Sequence, residues 1–247
     1  MRIWLFVFIG LSITHVQAAP RYKTGDSLYV WTLKKLQVRD KAGKVIGALS
    51  YGDRVVMFQD DEYAKIPIQA LPTSTTDGRE NPPVMVWGAY VEIGFQNLRG
   101  YVFDAYLLKF PPLKTLSSGR REFLPDYFAR AFGLMKTLKD QQQNEPFQLE
   151  YVYNNGITYS RSYVICCWST VMMIPDFSMT EAFVFLSYVG GLESYFKDEY
   201  IETERPVIRA EGEQGREPTY LSFKFEVQLY SIRKVNDFLI ITDDGGD

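Results

Sequence analysis

The chain is expected to fold as a small β-barrel followed by an α+β domain, so that its class is mixed β and α+β. Three observations predict this. Short alternating strands broken by turns fill residues 25–110, a Pro/Ser/Gly-rich linker follows them, and helical and hairpin spacings then alternate in the second half. The sequence has 247 residues, with 17 Tyr and 17 Phe among them. Each such ring buries a large area, so two modest cores are within reach. Residues 1–18, 19–112 and 113–247 are the expected divisions.

The first division reads as an export leader. Arg2 precedes the apolar run Ile3 to Ile13, and Val16-Gln17-Ala18 offers the small residues of a cleavage site. The run is too short to span about 30 Å of hydrocarbon. Cleavage after Ala18 leaves 26 basic and 30 acidic residues, a charge of −4, with no transmembrane helix. The chain is therefore expected to be exported, periplasmic or secreted. No Lys/Arg stripe points to nucleic acid.

In the second division, Leu28 to Trp31, Leu36 to Arg39, Val45 to Leu49 and Arg54 to Phe58 read as strands, with turns at Asp40 to Gly43 and at Tyr51 to Asp53. Leu71 to Pro83 is rich in Pro, Thr, Ser, Asp and Gly and reads as loop. Val84 to Phe95 is the next strand, and Asn97 to Gly100 turns into Tyr101-Val102-Phe103.

The ordered series Leu36-x-Val38-Arg39, Val45-Ile46-Gly47-x-Leu49, Gly52-Asp53-x-Val55, Gly100-Tyr101-Val102 and Tyr106-Leu107 resembles the bacterial SH3 (SH3b) domain family, with Tyr101 where that family usually has Trp. The resemblance covers about a third of the chain. It implies an SH3-like small β-barrel and recognition of peptidoglycan peptides or another cell-envelope ligand. Trp31, Tyr51, Tyr63, Trp87 and Tyr90 are the candidate ligand-binding side chains, since aromatic rings near long loops can hold an extended peptide or sugar chain.

Phe110-Pro111-Pro112 to Ser117-Ser118-Gly119 is the linker, stiffened by proline and loosened by serine and glycine. Beyond it, Pro125 suits a first helical turn, and Phe128, Ala131, Phe132, Met135 and Leu138 recur at helical spacing, which predicts a helix over 125–143. Strands over 147–153 and 157–168 flank Asn154-Asn155-Gly156, a strong hairpin signal. Ser178-Met179-Thr180-Glu181 is a capping box opening a helix through Val189, although Phe183 to Leu186 is apolar on every side and a strand is the alternative. Residues 202–218 read as loop, 220–232 and 237–242 as strands, and 243–247 as a frayed tail. The domain expected is helix–hairpin–helix–hairpin, with a four-stranded antiparallel sheet and both helices on one face. That order hints at a duplicated unit.

Catalytic chemistry is mostly missing. The single histidine, His15, lies in the leader, so the mature chain has no imidazole to activate a thiol or serine, and no His-ligated metal site. Cys166-Cys167 are adjacent, a poor disulfide framework, and within Val164 to Trp168 they read as buried core thiols. Glu193, Asp198, Glu199, Glu202 and Glu204 read as a solvated acidic face rather than a glycosidase pair. Asp60-Asp61-Glu62 lacks the spacing of a calcium loop. No catalytic residue, cofactor or metal is assigned. The expectation is a non-enzymatic binding protein with a cell-wall peptide, peptidoglycan or an envelope protein as partner. The alternative is a structural contact module of the envelope.

Overall fold

A computed structural model describes residues 22–32, 34–59, 64–76, 78–141, 147–192 and 205–246. The expected leader with His15, Asp60 to Glu62, Tyr63 and the carboxylates between 193 and 204 lie outside the described residues. In chain order the first strands are β1 (Ser27–Val30), β2 (Leu36–Arg39), β3 (Val45–Leu49), β4 (Arg54–Met57), β5 (Ile66–Leu71), β6 (Ser74–Thr76), β7 (Arg79–Asn81), β8 (Val84–Gly88), β9 (Tyr90–Phe95), β10 (Leu98–Phe103) and β11 (Leu107–Leu108).

Seven of them form one antiparallel sheet in the order β11-β1-β4-β9-β10-β2-β3. Alternate residues of all seven strands enter a single core, among them Leu28, Val38, Leu49, Met57, Ile93, Val102 and Leu107. The expected strand over 84–95 is two strands, because the chain bends at Ala89. There Asp104 Oδ1 accepts the Ala89 amide at 2.7 Å, and a methyl added to Gly88 would lie 2.4 Å from the same oxygen.

The second half corrects the expected helix–hairpin α+β domain. Strands make up 53% of the structure and helix only 12%, in two helices. The elements are α1 (Leu124–Phe132), β12 (Leu134–Gln141), β13 (Phe147–Tyr153), β14 (Thr158–Val164), β15 (Cys167–Pro175), α2 (Met179–Val189), β16 (Val207–Glu211), β17 (Tyr220–Lys224), β18 (Gln228–Val235) and β19 (Phe238–Gly246). In place of a four-stranded sheet, eight antiparallel strands run in the order β12-β13-β14-β15-β19-β18-β17-β16. The unit that recurs is therefore a helix followed by a four-strand meander, and the two meanders join where β15 pairs with β19.

The first helix stops eleven residues early for a backbone reason. Gly133 caps α1 at φ 80°, and a methyl there would meet Asn154 Nδ2 at 2.5 Å. Its carbonyl accepts the Asn154 amide at 3.0 Å, which starts β12 against β13. Met135 and Leu138, which continue the helical spacing, fall at two register shifts of that pairing and remain exposed.

The second helix is as the capping box predicts. Ser178 accepts the Glu181 amide at 3.1 Å, and Glu181 Oε2 accepts the Ser178 amide at 2.9 Å. Every residue from Met179 to Ser187 is buried, so α2 is a core helix wrapped on all sides. Its inner ring is Phe185, with centroids 5.3 Å from Trp31, 5.8 Å from Phe110 and 6.1 Å from Phe128. Its start is tied to the N-terminal half: Thr180 Oγ1 accepts the Trp87 amide at 2.9 Å, and Tyr22 Oη lies 2.6 Å from Glu181 Oε1. Leu71, Val86, Phe103 and Leu108 belong to the same buried cluster as α1, α2 and the eight-stranded sheet.

Residues 71–83, expected as loop, form the hairpin β6–β7, which reaches across to the eight-stranded sheet. Buried Asn81 is its fastener. Its Nδ2 donates to Pro206 O at 3.0 Å and to Thr76 Oγ1 at 2.9 Å, while its Oδ1 accepts the Ile208 amide at 2.8 Å. The expected tail is strand as well. β19 pairs with β15 as far as Cys167↔Gly246, and the Trp168 ring lies over Gly245, where a methyl would sit 2.1 Å from it.

The linker is held down by charge. Arg130 donates to both Glu122 carboxylate oxygens, at 2.8 and 2.7 Å, and to Pro112 O at 3.1 Å. The Arg130 hydrogen bonds hold the Glu122 carboxyl below its ordinary value. A carboxyl depressed by folding stabilises the fold fully above its unfolded value and loses that share as pH falls through the folded value. Wild type should therefore lose stability relative to Glu122→Gln from about pH 4.5 downward. Urea midpoints of the two chains at pH 6 and pH 3 measure this, and an unchanged gap between them would refute it.

Candidate functional site

The five candidate aromatics do not assemble into one site. Trp31 is 1% exposed, and its Nε1 donates to Phe110 O at 2.7 Å. Tyr51 is stacked on Tyr188 at 4.0 Å and 7°, and its hydroxyl accepts the Leu113 amide at 2.9 Å. Burial and the Tyr188 hydroxyl push the Tyr51 phenol far up, so it stays neutral. Both rings are spent on the junction with α2. Trp87 is half-buried on β8, opposite Pro67. Tyr63 lies outside the described residues. Tyr90 alone stands in the open, 43% exposed.

Tyr90 lines a surface trough of about 480 Å³ with Arg39, Asp40, Lys41, Gly43 and Tyr101. The register explains the grouping. Tyr90 pairs with Phe103 and Glu92 with Tyr101, so Tyr90 and Tyr101 sit diagonally on one face of β9–β10, and Tyr101 is opposite Arg39 on β2. The β2–β3 turn forms the rim. Asp40 Oδ1 accepts the amides of Ala42 and Lys44, both at 2.9 Å, and Arg39 Nη1 donates to Gly43 O at 2.8 Å. Two ring faces with a fixed guanidinium and a free-standing lysine suit a peptide or glycan segment that carries a carboxylate. Tyr101 and Lys41 are not among the site residues expected from the sequence.

The cysteines are a correction. They were expected inside a strand and buried, but the strand turns at Ile165, φ 54°, and both thiols are exposed at the β14–β15 tip with sulfurs 2.8 Å apart. Under reducing conditions the folded chain should give two thiols to a maleimide at the rate of an unfolded control. Fewer than two, or labelling only in denaturant, would contradict this placement. Among the described residues no cluster of three or more His, Cys, Asp or Glu is arranged to hold a metal ion. Also among them, no helix is long and apolar enough to cross a membrane.

Comparison with family models, curated proteins and solved structures finds no match to this chain.

Proposed function

We propose that the chain is an exported, non-catalytic binding protein whose N-terminal sheet holds a cell-wall peptide or a related envelope ligand in the Tyr90/Tyr101 trough. The carrying observation is the pair of tyrosines placed diagonally on one face beside Arg39 and Lys41. The leader and the likeness to the bacterial SH3 family support the same reading. A pull-down of the mature protein on purified peptidoglycan tests it. The wild type is retained at low salt, and Tyr90→Ala/Tyr101→Ala loses about tenfold or more in affinity, as expected for central aromatic contacts. No retention of a folded wild type, or equal retention of the variant, rejects the reading.

A second reading is a contact module of the envelope. It is favoured by β12, the edge strand of the large sheet, where Leu134, Met135 and Leu138 are 47%, 62% and 47% exposed. Such an apolar edge suits a protein partner. Retention on isolated envelope proteins rather than on glycan, abolished by Met135→Lys/Leu138→Lys, would favour it.

A further inference from the structure

We propose a second binding site, for a phosphate-bearing ligand, in the groove over the β16–β18 end of the eight-stranded sheet. The groove encloses about 990 Å³ and is lined by Arg79, Arg205, Arg209 and Lys224, with Glu226 the one carboxylate among its lining residues. Its lining carries four positive charges against one negative, on a chain whose formal charge is −3.

The placement follows from strand alternation. Ile208, Leu221 and Phe223 point into the helix-side core, so Val207, Arg209, Tyr220, Ser222 and Lys224 occupy the opposite face. Arg209 pairs with Ser222 and Val207 with Lys224, which makes Arg209 and Lys224 diagonal neighbours, roughly 7–8 Å apart. Arg205 lies two residues before Val207 on the same side. Arg79 comes from the other sheet, delivered by the β6–β7 hairpin that Asn81 fastens to Pro206 and Ile208. Arg233 stands over Tyr220 at 5.3 Å from the ring centroid, on the same face.

These cations are not explained by the fold. None of the four side chains forms an ion pair or hydrogen bond with any described residue. The Arg205 Nε is buried and has no acceptor among the described residues. A guanidinium N–H withdrawn from water without an acceptor is costly, and like charges gathered in a groove repel one another. An anion that accepts from Arg205 and faces Arg209 and Lys224 relieves both costs. Guanidinium forks match phosphate oxygens in pairs, and a phosphate brings more charge and more acceptors than a carboxylate. The groove is far larger than a lone phosphate, and Val207, Val227 and Leu229 give it an apolar wall. The ligand class is thus a phosphate ester on a glycerol- or sugar-sized body, either free or as a lipid headgroup.

The test uses the mature chain, titrated with sn-glycerol 3-phosphate and, separately, with vesicles of phosphatidylcholine containing phosphatidylglycerol. Binding is followed by calorimetry and by co-sedimentation at 50 and 300 mM salt. Binding of the soluble ester identifies a free phosphate ester as ligand, and binding of vesicles alone identifies the headgroup. In either case Arg205→Gln/Arg209→Gln should weaken binding at least tenfold, Lys224→Gln about threefold, and Tyr90→Ala not at all, with unchanged circular dichroism. Lys224 is exposed and unbonded, so its variant reports on the site even if the double variant folds poorly. Binding of neither ligand at 50 mM salt, or binding indifferent to the groove variants, overturns the proposal. Because the Tyr90 variant leaves this readout untouched, the groove and the trough stand or fall separately.

Discussion

Phe185→Ala should lower the melting temperature by about 6–20 °C. The figure combines about 3–5 kcal/mol for a Phe-to-Ala change in a core with about 2–4 °C per kcal/mol for a chain of this size. Phe185 is fully buried in a helix that has no exposed face before Tyr188, and its ring meets Trp31 and Phe110 from the N-terminal half and Phe128 from α1. The vacated space therefore lies where the N-terminal half, α1 and α2 meet in one buried cluster. Phe185→Leu refills most of the volume and should cost much less. Thermal denaturation by circular dichroism separates the two variants. A shift below 2 °C for the alanine variant would mean that α2 does not pack as described.

Asn81→Ala should release the β6–β7 hairpin from the large sheet. One side chain here donates to Pro206 O and Thr76 Oγ1 and accepts from Ile208 N, all out of water. Truncation orphans the Ile208 amide, at about 1–3 kcal/mol for that group alone. The readout is local. Hydrogen exchange at Ile208 should quicken about tenfold or more, while amides of β9 and β10 keep their protection. Uniform loss of protection would point to global destabilisation, and no change at Ile208 would refute the contact. Since Arg79 rides on the same hairpin, the variant should also weaken any anion bound in the groove.

Local signals made part of this legible. Alternation found β2 and β4, Asn155-Gly156 found the turn after β13, and the capping box found the start of α2, because each depends on neighbours in sequence. The misreadings have a common physical origin in distant partners. Met135 and Leu138 carried a helical spacing, yet Gly133 had already ended the helix and neither side chain is buried. β16 reads as loop because Ile208 is its only fully buried residue, and its partners are β17 and, from more than a hundred positions earlier, Asn81. The tail looked frayed because Gly245 and Gly246 are weak strand formers alone, and Trp168 covers the first of them from across the ladder. The site followed the same rule. Trp31 and Tyr51 resembled surface aromatics until Phe185 and Tyr188 arrived from far along the chain. Tyr90 is the one described candidate that stays exposed.

The pairing of β15 with β19 has a kinetic consequence. β19, the last of the described strands, lies in the interior of its sheet, with β15 on one side and β18 on the other. The nearest pair of this ladder, Pro175↔Phe238, must meet across 63 positions before the first meander can hand its hydrogen bonds to the second. Closure of so long a loop is slow. During synthesis, β15 would wait with an open edge until the polymer had lengthened past β19, so the first meander keeps one strand unpaired until the second is complete.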